Sequence, residues 1–231
     1  MPNERKSASD SLIPPHPIPE WAEAFSKQVQ SLLNGQPKDE AMVTKALDGM
    51  DTMLDKIAAG LYSMASMLVG EGEDSIRLVE TAVAHAEVSA CENAMQARQS
   101  SRRALCCAAI DMLAQRDPRS LAAPLDLDPG GTCIEDDDLS AAGISTEELE
   151  TMLAGPNREN VKKWLESLPT AMRVIFVLRA VAGFPSDQAA ALLASHGGPS
   201  AAGWTAEGVR VVFRQGLCSL ASQLIHATAA K

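Results

Sequence analysis

Apolar positions recur along the chain at helical spacing, and the pattern breaks at glycine, proline and acidic clusters. Trp21, Phe25, Val29, Leu32 and Leu33 form one amphipathic stripe that stops at Asn34-Gly35. Val43, Leu47, Met50, Leu54, Ile57, Leu61, Met64 and Leu68 then alternate steps of four and three, which predicts one long packed helix ending near Gly70-Glu71-Gly72. A second helix opens at Glu73-Asp74, where two acids suit the helix dipole, with Ile76, Val79, Val83 and Ala86 as its apolar stripe. A third, from about Ala97 to Gln115, turns Leu105, Ala109, Met112 and Leu113 inward and leaves Arg98, Arg102, Arg103 and Arg116 outward.

Residues 117–157 interrupt this pattern with Pro118, Pro124, Pro129, Gly130 and Gly131, and read as an acidic linker that holds one short helix from Thr146 to Leu153. Helical periodicity resumes at Val161–Leu168. From Leu168 the chain reads as a helix, a Gly183-Phe184-Pro185 turn, a short helix capped by Ser186, a loop, and a longer helix capped by Thr205. That is the layout of a helix-turn-helix, whose last helix lies in a DNA major groove. The expected fold is therefore all-α, with a disordered tail at 1–19, a helical domain at 20–116, the acidic linker at 117–157 and a helix-turn-helix domain at 158–231.

Composition supports helices over sheets, since 46% of the 231 residues are hydrophobic and only 3% aromatic. The net charge of −10 argues against a simple nucleic-acid coat, but the charge is uneven. From Arg158 to Lys231 eight Lys or Arg face four Asp or Glu, whereas Asp117 to Asn157 holds ten acids, including the run Glu135-Asp136-Asp137-Asp138, and one base. The helix-turn-helix end is the basic one. The acidic run either folds back on it as a phosphate mimic or keeps the linker solvated.

The five cysteines, Cys91, Cys106, Cys107, Cys133 and Cys218, have no framework spacing and suggest a reducing cytosol rather than a disulfide scaffold. No stretch approaches the roughly 18 apolar residues of a membrane span, so a cytoplasmic protein without a membrane partner is expected. Cys106-Cys107 with His85 and Cys91 match no zinc spacing, so no metal or other cofactor is expected. No catalytic triad, phosphate-cradling loop or paired carboxylate motif points to an enzyme. Met42, Met50, Met53, Met64 and Met67 read as core filling rather than a partner groove.

Tyr62 to Gly70 followed by Glu73-Asp74 and Leu78-Val79, Arg103 to Leu113, and the helix-turn-helix segment occur in the order of modules of bacterial RNA polymerase sigma factors of the extracytoplasmic-function type, and resemble them. The similarity covers residues 45–116 and 160–228. It implies a transcription initiation factor that binds core RNA polymerase through Asp74, Leu78 and Val79, and promoter DNA through Thr205, Arg210, Arg214, Arg102 and Arg103. An anti-sigma or other regulatory protein is a further candidate partner.

The departures from the family fall on charged positions. Arg77, Glu80 and Thr81 replace its polymerase-binding pattern, and Cys106-Cys107 replaces an Arg-Asn pair. Val212, Gln215, Leu217, Cys218 and Ser219 stand where the family often has Arg or Lys. The eleven residues between Leu193 and Thr205 also exceed the usual turn of about three or four. They either tilt the last helix or present His196 and Trp204 to a protein. These features support an alternative: a degenerate sigma-like interaction module that regulates transcription without productive DNA binding.

Overall fold

Gly70 takes a φ of 91°, a left-handed conformation open to glycine, and its N–H closes on the Ser66 carbonyl at 3.0 Å. This ends the helix of residues 58–69 (α1) where the sequence predicts it. The computed structural model describes residues 58–85, 94–124, 133–142, 144–155 and 158–229. All of them belong to one compact unit, Gly49–Lys231. The expected 1–19 tail, the Trp21–Leu33 helix, the seam up to Ile57, Ala86, Cys91 and Pro129 to Gly131 lie outside the described residues.

The described residues are all-helical. After α1 come α2 (Glu73–His85), α3 (Ala94–Arg116), a 3-10 turn (Leu139–Ala142), α4 (Thr146–Ala154), α5 (Arg158–Ser167), α6 (Thr170–Phe176), α7 (Ser186–His196) and α8 (Ala206–Ala229). A wide π turn, Val177–Val181, extends α6, and Gly183 at φ 78° reverses the chain toward α7. Among the described residues no helix is long and apolar enough to cross a membrane.

The start of α2 falls at Glu73 as expected, but its inward face differs by one position. Ser75, Leu78 and Ala82 are buried, Val79 and Val83 flank them, and Ile76 is 50% exposed. The Ser75 hydroxyl donates to the Gly70 carbonyl, so the turn that ends α1 turns a small polar residue inward. Helix α3 buries Leu105, Ala109 and Leu113 as expected, together with Cys106 and Ile110, while Met112 is only partly covered. Met64 lies in the core and Met67 packs at its edge. Helix α4 begins with a capping box, in which Ser145 and Glu148 satisfy each other's backbone N–H groups.

Phe176 sits at the centre of the C-terminal helices. Its ring meets Trp164 edge-on at 4.9 Å and Phe213 at 5.8 Å, joining α5, α6 and α8. The Trp164 indole N–H donates to Ser219 Oγ at 3.0 Å, so the buried ring keeps its polar edge paired. Helix α3 packs on α2 and on α7, which places the helices on either side of 117–157 in contact. Leu121, Ile134, Ile144 and Leu149, all from that acidic stretch, are buried in the shared core.

Candidate nucleic-acid interface

Thr205 caps α8 as predicted: its Oγ1 accepts the Gly208 N–H at 3.0 Å, and the hydroxyl proton remains available to an acceptor. Ser186 behaves otherwise. It is the first residue of α7 rather than its cap, and its buried hydroxyl donates to Asp137 Oδ2 at 3.2 Å. A carboxylate 49 residues upstream has taken the hydroxyl that a local reading assigns to the helix end.

Arg210 and Arg214 stand one turn apart in the first half of α8, and both face oxygens. Arg210 pairs with Glu207 through Nη1, and its Nε lies 3.9 Å from Asp137 Oδ2. Arg214 Nη1 donates to the Glu135 carbonyl at 2.9 Å, and Nη2 lies 3.9 Å from Glu207 Oε1. Their exposure differs. The Arg210 side chain is 43% exposed, whereas Arg214 is 15% exposed and its Nε has no acceptor among the described residues.

Glu207 of α8 supplies part of these contacts, and the acidic run supplies the rest through Glu135 and Asp137. Asp137 is its anchor: its carboxylate and its backbone carbonyl both accept from Arg179 Nη2, at 3.0 and 2.8 Å. Arg179 also donates to the Phe184 carbonyl and stacks 5.1 Å from the Phe213 ring centroid, so a strong cation is held on the core's edge. Just upstream, Cys133 forms a disulfide with Cys218 of α8, where the cysteine spacing suggested free thiols. The pairing joins residues 85 apart, a separation that local sequence cannot reveal.

Beside this contact lies a cavity of about 970 Å³ lined by Met64, Met67, Arg102, Asp137, Arg179 and Phe213. Arg102 of α3 and Asp137 both line it. Arg103, next along α3, is exposed. The expected polymerase-facing residues divide as well: Asp74 forms an ion pair with Arg116, Val79 is half-buried, and Leu78 is 1% exposed within the core.

The long turn between α7 and α8 is built into the molecule. Trp204 is 6% exposed and its indole N–H donates to the Leu121 carbonyl at 2.8 Å, which removes it as a surface for a protein partner. The Ser200 hydroxyl donates to the Pro118 carbonyl, and the Ser200 carbonyl receives the Ala123 N–H at 3.1 Å. The length of this turn is explained by the docking of 117–124 that it completes.

Cys106 is buried in α3, and burial, reinforced by neighbouring Cys107, pushes its thiol from 9.0 to about 12. Burial raises the half-covered Cys107 thiol too. These thiols fill the core and make poor nucleophiles at neutral pH. Among the described residues no three His, Cys, Asp or Glu side chains gather as a metal site.

No family model, curated protein or solved structure matches the chain.

Proposed function

We propose that the chain is a sigma-like transcription initiation factor acting in the cytoplasm, with residues 20–116 engaging core RNA polymerase and 158–231 engaging promoter DNA. Residues 117–157 divide the two modules functionally, and an anti-sigma or other regulatory protein is a third partner. The observation that carries this reading is the pairing of Arg210 and Arg214 with the oxygens of Glu135 and Asp137. The start of a capped helix, preceded by a helix-turn-helix layout, holds two guanidiniums one turn apart, one near the Asp137 carboxylate and one on the neutral Glu135 carbonyl. Phosphates along a duplex groove offer the same chemistry, and such contacts supply much of DNA affinity. In this arrangement the acidic run stands where phosphate would, so DNA binding requires its displacement.

The second reading is a sigma-like module that regulates through protein contacts alone. The low exposure of Arg214 favours it, because a guanidinium so enclosed reaches a duplex only after the acidic run moves. The two readings separate on duplex DNA binding at low salt. Binding whose affinity falls with salt supports the first, and its absence in every state of the protein supports the second.

A further inference from the structure

Three attachments hold residues 133–137 along one stripe of α8: Cys133 to Cys218, Glu135 to Arg214, and Asp137 to Arg210. The helix positions step by four and the strap positions by two, in opposite directions. Between the attachments, Ile134 is buried in the core and Asp136 is exposed.

The attachments differ in kind. The Arg210 contact is a long, partly exposed ion pair that salt or a competing anion weakens, and the Arg214 contact is a single hydrogen bond to a neutral carbonyl. The disulfide is indifferent to either. It holds the free end of the strap, while Asp137 on Arg179 and Ser186 holds the other end from the core side.

We infer that the Cys133–Cys218 disulfide is a redox latch that keeps the acidic strap over Arg210 and Arg214, and that its reduction frees this face of α8 for an anionic partner. What the latch regulates, and the reducing compartment in which it would open, rest on the function proposed above; the attachment of the strap by the disulfide does not. In a reducing compartment a disulfide of this kind is transient and sensing rather than structural.

The step needs a dithiol reductant. Its thiolate attacks the sulfur of exposed Cys133, the Cys133–Cys218 bond breaks, and Cys218 leaves as a thiolate that takes up a proton. The reductant's second thiol then resolves the mixed disulfide. Two protein thiols and one oxidised reductant result, with two electrons passed to the protein. Cys106 and Cys107, covered in α3, stand outside this exchange.

The test compares the oxidised full-length chain with the same chain reduced by dithiothreitol, and with Cys133→Ser, which imitates release under oxidising conditions. Hydrogen exchange at 133–142, phenylglyoxal labelling of Arg214 and binding of a fluorescent DNA duplex at low salt are the readouts. Reduction is expected to speed exchange in the strap and labelling of Arg214 by about tenfold while α5 to α8 stay protected. Duplex affinity rises in proportion to the unlatched fraction, and Cys133→Ser no longer responds to reductant. Release of the strap without DNA binding supports the latch and overturns the promoter-reading function. Equal strap exchange and Arg214 labelling in both redox states overturn the latch, whatever the DNA result. Peptide mapping that finds Cys133 and Cys218 unpaired under oxidising conditions overturns it as well.

Discussion

His196 Nδ1 lies 3.0 Å from Asp111 Oδ2, tying the end of α7 to α3 across 85 residues of sequence. The pair is partly exposed, so its contribution is small. Asp111→Ala is expected to lower unfolding stability by about 1 kcal/mol or less, measured by urea denaturation. A loss several times larger would mean that this contact, rather than the apolar packing around it, organises the meeting of the two helices.

Trp204 carries more of that junction. Trp204→Ala removes a buried aromatic and is expected to cost about 3–5 kcal/mol. Trp204→Phe keeps most of the volume but leaves the Leu121 carbonyl without its donor, for a loss of about 1–3 kcal/mol. Equal, small losses in both variants would place the long turn outside the cooperative fold.

What the sequence disclosed was local. The Gly70 stop, the Glu73 start and the Thr205 cap each depend on a residue and its near neighbours, and each stands where the pattern predicts. The face of α2 was harder, since Ile76 and Ser75 differ by one helical step and only the Gly70 carbonyl decides which turns inward. Ser186 on Asp137, Trp204 on Leu121 and Cys133 on Cys218 are meetings of distant segments. Nothing in their own sequence neighbourhoods encodes them, so the burial of Leu121 and Ile134 and the partial enclosure of Arg214 went unforeseen, although folding back of the acidic run was one of the two alternatives its charge offered.

Cys106 sets an alkaline limit. Its folded thiol holds a proton more tightly than the unfolded one, so this stabilisation is complete below about pH 9 and is lost as pH rises toward about 12. Wild type is expected to lose stability over that window more steeply than Cys106→Ala. At pH 8, iodoacetamide should leave Cys106 unmodified until the protein unfolds. Parallel pH profiles, or ready alkylation of the native thiol, would contradict the buried, proton-bound state.

Neutralising the strap removes its charge together with the Asp137 anchor on Arg179 and Ser186. With Glu135, Asp136, Asp137 and Asp138 replaced by Ser, duplex affinity is expected to rise at low salt, and the gain should shrink as the Debye length falls from about 30 Å at 0.01 M to about 8 Å at 0.15 M. The Glu135 carbonyl remains after substitution, so part of the strap's hold on Arg214 persists. An affinity unchanged at every salt concentration would leave the acidic run without an opposing role.

The central claim is that Arg210 and Arg214 form a phosphate-binding face on α8, and the salt dependence of duplex binding tests it most directly. The reduced full-length protein is compared with Arg210→Gln/Arg214→Gln, which keeps long polar side chains at both positions, with circular dichroism confirming that the helices persist. If each arginine neutralises one phosphate, the double variant lowers the slope of log affinity against log salt by about two, at roughly 0.9 per contact. No duplex binding by the reduced wild type at low salt, or the same slope in both proteins, would contradict the claim.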